Sequence, residues 1–193
     1  MNIANRLTVL RIILAFVFIV LLFLPGVLCK ILATAAFIIA AITDFCDGHL
    51  ARKYQVVTDL GKFLDPLADK ILVLSAFIGF VEIGIIPGWM VIIIILRDLL
   101  ITGIRLAAAR QGKVLAAARA GKHKTVFQMI SIIVILVFIV LQEAGSTRLA
   151  FWSAAFASAT AQGIYVLMLI TIGMTVYSGV HYLAQNVSVF KRL

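Results

Sequence analysis

Four of the eight acidic residues in this 193-residue chain form two close pairs, Asp44 with Asp47 and Asp65 with Asp69. An α-helix turns by about 100° per residue, so residues three or four positions apart point to the same side. Each pair can therefore direct two carboxylates at one site. Because four carboxylates close together in an apolar chain repel one another, they require a compensating cation. The pattern predicts a metal site.

The type of ligand limits the type of metal. Carboxylate oxygens are hard ligands that favour Mg²⁺, Mn²⁺ or Ca²⁺ over softer metals. Cys46 and His49 lie beside the first pair, but there is no cluster of histidines or cysteines around it. Zinc is therefore disfavoured. Two uses of such a site remain: a transport path for a cation, or a metal centre for phosphoryl chemistry.

The residues between the two pairs favour phosphoryl chemistry. Gly48 allows a ligand to approach the backbone closely, Arg52 offers a guanidinium to a phosphate, and Thr58 offers a hydroxyl donor. A path for a cation needs no such set. Magnesium held by carboxylates and bridged by substrate phosphates is the usual arrangement for transfer at a pyrophosphate.

The composition places this site in a membrane. Hydrophobic residues make up 64% of the chain, charged residues 13%, and the mean hydropathy is +1.17. Since about 20 apolar residues cross a bilayer, the length allows six spans joined by short loops. We predict an all-α integral membrane protein with six transmembrane helices in a single domain, residues 1–193. The predicted spans cover residues 7–28, 31–47, 64–86, 89–109, 125–142 and 151–183.

The basic residues indicate the orientation. With the N-terminus in the cytoplasm, all 17 Lys and Arg residues except Lys30 and Arg148 lie on the cytoplasmic side, as the positive-inside rule requires. Pro25-Gly26, Pro87-Gly88 and Gly145-Ser146 then mark the outer connections. The net charge of +9 is scattered between apolar segments, which predicts contact with anionic membrane lipids and no nucleic-acid partner.

The whole motif around the aspartates resembles that of a known family. It reads Asp44-x2-Asp47-Gly48-x2-Ala51-Arg52-x8-Gly61-x3-Asp65-x3-Asp69, which is similar to the complete signature of the CDP-alcohol phosphatidyltransferases. The resemblance implies a six-helix fold, a homodimer, and a site that holds two Mg²⁺ or Mn²⁺ ions. It also implies that the protein lies in the cell (inner) membrane and that the site opens to the cytoplasm. It further implies that all four aspartates bind metal and that Asp69 takes the proton from the attacking hydroxyl.

The same resemblance implies a donor substrate, CDP-diacylglycerol. Gly48, Arg52 and Thr58 correspond to the family's contacts with the nucleotide or its pyrophosphate. Asn5 and Thr8 belong to an opening, Asn5-x-Leu7-Thr8-x-x-Arg11, that is similar to the family's own, although Ala4 stands where proline is common. Asn5 and Thr8 are therefore expected to contact the CDP moiety as well.

The second half of the chain narrows the acceptor. The segments 96–105, 112–114 and 121–125 resemble the branch of the family that uses glycerol 3-phosphate, giving phosphatidylglycerophosphate and CMP. A phosphorylated acceptor needs cations, and Arg97, Arg105, Lys122 and Lys124 can supply them. Each has another reading: the lysines as anchors at the membrane surface, and the arginines as partners of nearby carboxylates such as Asp98. Inositol phosphate is the closest rival acceptor, and a cation transporter is the rival outside this class.

Overall fold

Six α-helices follow one another in the computed structural model, which describes residues 3–54, 59–110, 119–148 and 153–186. They are α1 (Ile3–Phe23), α2 (Val27–Tyr54), α3 (Asp59–Glu82), α4 (Gly88–Arg110), α5 (Arg119–Arg148) and α6 (Ala154–Gln185). No strand occurs within the described ranges. The prediction of an all-α protein is confirmed.

The two proline-glycine pairs separate helices as predicted. Gly26 lies between α1 and α2 with φ at 101°, in the left-handed region that glycine adopts without steric cost. Gly84, with φ at 74°, and Pro87 lie between α3 and α4. Since proline has no amide hydrogen and is suited to the start of a helix, Pro87 allows α4 to begin at the next residue.

Two predicted connections differ from the structure. The prediction of a turn at Gly145-Ser146 is wrong, because α5 continues through both residues to Arg148. A glycine inside a helix costs only about 1 kcal/mol, and no proline follows to end the helix. The helices also extend beyond the spans predicted at 31–47 and 64–86, because α2 continues to Tyr54 and α3 begins at Asp59. Residues 55–58 lie outside the described residues.

The core forms where α1 packs against α2 and α3, and α2 against α5. The rings of Phe18 and Phe37 meet across α1 and α2 with centroids 5.5 Å apart. At Gly79 of α3, an added Cβ would lie 2.7 Å from the Leu22 side chain of α1. The absence of a side chain at Gly79 therefore sets how closely α1 and α3 approach.

The outer surface of the bundle is apolar. Each of the six helices exposes large hydrophobic side chains, such as Phe16 of α1, Leu28 of α2 and Leu99 of α4. Helices that are hydrophobic all round are typical of a membrane environment. Among the described residues, 124–145 and 155–185 are long and apolar enough to cross a membrane, and 8–23 and 27–43 are shorter apolar helices.

A carboxylate of α5 forms a hydrogen bond with the backbone between α1 and α2. Glu143 Oε1 accepts a hydrogen bond of 2.8 Å from the backbone amide of Gly26. In the same corner, Lys30 Nζ donates to the carbonyl of Leu22 at 2.5 Å, one of the carbonyls left without a partner at the end of α1. These two bonds join the end of α1, the start of α2 and the end of α5.

Replacement of Glu143 by alanine is expected to loosen this corner. Loss of a charged acceptor for a partly exposed amide lowers the free energy of unfolding by about 1 kcal/mol, which for a chain of this size lowers Tm by about 2–4 °C. Thermal unfolding in detergent measures the change. Glu143→Gln keeps an acceptor oxygen and should lose less, and Glu82→Ala removes an exposed carboxylate at the end of α3. Equal Tm values for Glu143→Ala and Glu82→Ala would contradict the assignment.

Candidate active site

The helices place the two aspartate pairs as the motif requires. Asp44 and Asp47 lie within α2, and Asp65 and Asp69 lie within α3, so each pair belongs to one unbroken helix. The helical spacing that puts the carboxylates of each pair on one side is therefore present in the backbone. The side chains of all four lie outside the described part of the chain.

The chemistry of this donor set fits a divalent cation. Four carboxylates supply hard oxygen ligands only, and magnesium or manganese accepts such a set. Among the side chains that the structure describes, no group of three or more His, Cys, Asp and Glu residues could hold a metal. The four aspartates of α2 and α3 remain the metal ligands that the motif predicts.

The residues expected to contact the nucleotide are distributed over two helices. Gly48 and Arg52 lie in the last two turns of α2, and Asn5 lies in the first turn of α1. The side chains of Asn5 and Arg52 are not among those that the structure describes. Thr8, one turn after Asn5, is fully buried. Thr58 lies outside the described residues. Thr8 is therefore the only member of this set whose side chain has a described environment, and it lies inside the bundle.

A cluster of charges joins α4 and α5. The Asp98 carboxylate accepts a hydrogen bond of 3.2 Å from Arg97 Nη1, and the same oxygen accepts from Lys124 Nζ. Lys124 is buried, and Arg97 and Asp98 are largely shielded from solvent. One carboxylate therefore pairs with two of the cations that are predicted to contact the acceptor.

Helix α6 supports the cluster from the other side. Arg97 Nη2 donates to Ser178 Oγ at 2.7 Å, a contact between residues 81 positions apart. The stem of Arg97 crosses Gly179, where an added Cβ would lie 3.1 Å from Arg97 Cγ. Any larger residue at this position would push the arginine stem away. Ser178 and Gly179 thus fix the path and the direction of the guanidinium.

Lys70 connects the cluster to the helix of the second aspartate pair. It follows Asp69 directly in α3, and its Nζ donates to Thr102 Oγ1 of α4 at 2.5 Å. The same Nζ lies 3.5 Å from the backbone carbonyl of Asp98. A third cation, next in sequence to Asp69, therefore contacts the backbone of Asp98 in the Arg97–Asp98–Lys124 cluster.

Arg105 and Lys122 are the two remaining predicted acceptor contacts, and the structure describes the side chain of Arg105 only. Arg105 is exposed, and its guanidinium carbon lies 5.8 Å from the centre of the Tyr182 ring of α6, a cation–π contact. Lys122 lies in the first turn of α5, with its side chain outside the description. The structure thus joins Arg97 to Lys124 directly, whereas Arg105 reaches this region by its contact with α6.

Sequence reasoning missed the contributions of Lys70, Ser178, Gly179 and Tyr182. The sequence could have indicated Lys70, because a charged residue directly after a motif aspartate is unusual in an apolar helix. It could not have indicated the three residues of α6, since serine, glycine and tyrosine are ordinary in an apolar helix. Their role becomes visible only once α6 packs against α4 and α5.

Some polar atoms of this region are buried without a hydrogen-bond partner within the described residues. They are Arg97 Nε, Gln128 Nε2 and Tyr182 Oη. Gln128 lies one turn after Lys124 in α5, and Tyr182 lies one turn after Ser178 in α6. Burial of a polar group without a partner is costly, so such atoms mark places where a ligand or water can bind.

Comparisons with known proteins agree with the motif. The family model described as CDP-alcohol phosphatidyltransferase matches residues 1–184. A Bacillus subtilis protein named CDP-diacylglycerol–glycerol-3-phosphate 3-phosphatidyltransferase is 38% identical over 200 residues, covering 96% of this chain and 95% of its own. A Mycobacterium tuberculosis protein named probable phosphatidylglycerophosphate synthase is 38% identical over 187 residues, covering 95% and 81%. A Rickettsia typhi protein with the same name as the first is 35% identical over 135 residues, covering 70% and 76%.

Removal of the Asp98 charge is expected to destabilise the cluster. Asp98→Asn leaves Arg97 and Lys124 facing each other at a shielded site, which lowers the free energy of unfolding by about 2 kcal/mol or more. Asp98→Glu keeps the charge and should lose less stability. The measurement is thermal unfolding in detergent micelles of equal composition. If Asp98→Asn were as stable as the unaltered protein, the carboxylate would not be holding the two cations.

Proposed function

Because the chain belongs to the CDP-alcohol phosphatidyltransferase family, we propose that it transfers the phosphatidyl group of CDP-diacylglycerol to sn-glycerol 3-phosphate. The products are phosphatidylglycerophosphate and CMP. The names of the Bacillus and Mycobacterium relatives support this reaction. The observation in the structure that carries the choice of acceptor is the excess of cations over carboxylates among the described side chains around Asp98.

The donor site is formed by α1, α2 and α3. In our proposal Asp44, Asp47, Asp65 and Asp69 hold the metal. Members of this family use a divalent metal, and two bound Mg²⁺ or Mn²⁺ ions would neutralise charge on the pyrophosphate of the donor. The residues that contact the CDP moiety are Asn5, Thr8, Gly48, Arg52 and Thr58. The buried position of Thr8 supports a donor site that reaches into the bundle.

Asp69 acts as the general base in this proposal. Its carboxylate takes the proton from the free hydroxyl of the acceptor as that oxygen attacks the phosphorus bonded to diacylglycerol. The new oxygen–phosphorus bond forms while the bond from that phosphorus to the bridging oxygen breaks. The bridging oxygen leaves with CMP. Since no covalent step on the protein is needed, the residues act mainly by positioning the reactants and shielding charge.

The acceptor site lies where α3, α4, α5 and α6 bring their cations together. Arg97 and Lys124 pair with the carboxylate of Asp98, and Lys70 Nζ lies 3.5 Å from the backbone carbonyl of the same residue. Among the described side chains, three positive charges thus accompany one negative charge. Unbalanced charge in a shielded site favours an anionic ligand. A phosphorylated alcohol provides that charge, whereas a transported cation would be repelled. Arg105 and Lys122 complete the proposed phosphate-binding set.

The proposed setting is a cell membrane that the chain crosses six times as a single domain, residues 1–193. The N-terminus and the active site face the cytoplasm. The apolar surface on every helix supports multiple crossings. The distribution of Lys and Arg supports the orientation. We propose a homodimer, as the family resemblance implies.

The reaction is tested with purified protein, CDP-diacylglycerol, Mg²⁺ and labelled glycerol 3-phosphate. Stoichiometric CMP and a labelled acidic lipid are expected, and a chelator should abolish both because four carboxylates cannot orient the donor without a cation. Parallel reactions with inositol phosphate and with serine identify the acceptor. Faster turnover with inositol phosphate would reject glycerol 3-phosphate as the acceptor, and the absence of CMP in every reaction would reject the reaction itself.

The role of Asp69 is tested by Asp69→Asn. An asparagine can still lie near metal but accepts a proton poorly, so CMP release should fall by about a hundredfold or more. Binding of CDP-diacylglycerol, measured by thermal shift, should be largely retained. Asp59→Asn is the matched control, since Asp59 begins α3 at a position where the motif fixes no residue type, and it should leave turnover unchanged. Full activity of Asp69→Asn would exclude it as the base.

A further inference from the structure

The hydroxyl of Tyr182 stands out in the last turn of α6. The residue is 3% exposed, and its Oη has no hydrogen-bond partner in the described part of the chain. A buried hydroxyl without a partner lowers the free energy of unfolding relative to one that forms a hydrogen bond. If the ring served packing alone, a phenylalanine would fill the same place without this cost.

The surroundings of Tyr182 are those of the acceptor site. Arg105 lies over its ring, and Ser178, one turn earlier in α6, binds Arg97. The Nε of Arg97 is likewise buried and has no partner among the described residues. Helix α6 therefore contacts both arginines of the proposed phosphate site, Arg97 through Ser178 and Arg105 through Tyr182. The Tyr182 hydroxyl and Arg97 Nε are hydrogen-bond donors without a partner among the described residues.

The chemistry of these two donors indicates the ligand. Arginine Nε can only donate a hydrogen bond, and a tyrosine hydroxyl donates readily to an anionic oxygen. A phosphate monoester presents several acceptor oxygens and carries the negative charge that the nearby cations lack. A neutral alcohol would satisfy the hydroxyl but would leave the excess positive charge unbalanced.

We infer that the Tyr182 hydroxyl donates a hydrogen bond to the phosphate of the acceptor, beside Arg97 Nε. This inference rests on the proposed function, and it extends the acceptor site to α6. Tyr182 then contributes to affinity for the phosphorylated acceptor and has no part in binding the CDP-linked donor. Ser178 and Gly179 are positioning residues in this arrangement, because they act through Arg97.

Tyr182→Phe tests the contact, because it keeps the ring and its contact with Arg105 and removes only the hydroxyl. The KM for glycerol 3-phosphate should rise about tenfold, while the KM for CDP-diacylglycerol stays unchanged. Tyr177→Phe is the matched control, since Tyr177 is an exposed tyrosine of the same helix, stacked on His181. It should leave both KM values unchanged. An unchanged KM for glycerol 3-phosphate in Tyr182→Phe would overturn the inference.

Stability without substrate separates a binding role from a structural one. If the hydroxyl binds only the substrate, Tyr182→Phe without substrate should have a Tm equal to or above that of the unaltered protein. Adding glycerol 3-phosphate should then raise the Tm of the variant less than that of the unaltered protein. A lower Tm without substrate, with the same rise on adding it, would show a structural hydroxyl and overturn the inference. If the unaltered protein makes no labelled lipid from glycerol 3-phosphate, the proposed function fails. If it does and Tyr182→Phe behaves identically, only the Tyr182 contact fails.

Discussion

The charge cluster of α4, α5 and α6 depends on the pairing of two cations with the single carboxylate of Asp98. Arg97 and Lys124 come from different helices, and both donate to the same oxygen. In a shielded environment two such cations repel strongly unless a counter-charge lies between them. Asp98 therefore allows α4 and α5 to bring positive charge together, and the contact of Arg97 with Ser178 extends the group to α6.

Among the described side chains, the cluster has more positive than negative charge, which in our proposal distinguishes it from an ion pair that only stabilises a fold. A structural network usually balances its charges and satisfies its donors, because unsatisfied groups in a low dielectric are costly. Here Lys70 adds a third cation, and Arg97 Nε and Tyr182 Oη have no partner in the described residues. In our proposal, the same features that cost stability provide a place for an anionic substrate.

The rest of the bundle is built from apolar contacts and small residues. Gly79 lets α1 and α3 approach, and Gly179 lets the stem of Arg97 cross α6. Within the α5–α6 interface, Ser131 and Thr171 form a hydrogen bond of 2.7 Å between their hydroxyls. Such contacts join helices in membranes, where lipid offers apolar surface but no hydrogen bonds. Polar contacts of α6 thus occur with α5 at Thr171 and with α4 at the charge cluster.

The sequence alone determined the helical class, the proline-glycine connections and the aspartate motif, because hydrophobic length, backbone restriction and helical spacing are local properties. It did not determine that α5 passes through Gly145-Ser146, since a glycine-serine pair only weakly opposes a helix. Nor could it determine that Ser178, Gly179 and Tyr182 adjoin the arginines of α4. Contacts between residues about 80 positions apart depend on how helices pack, and that packing is decided by the shapes of side chains on several helices at once.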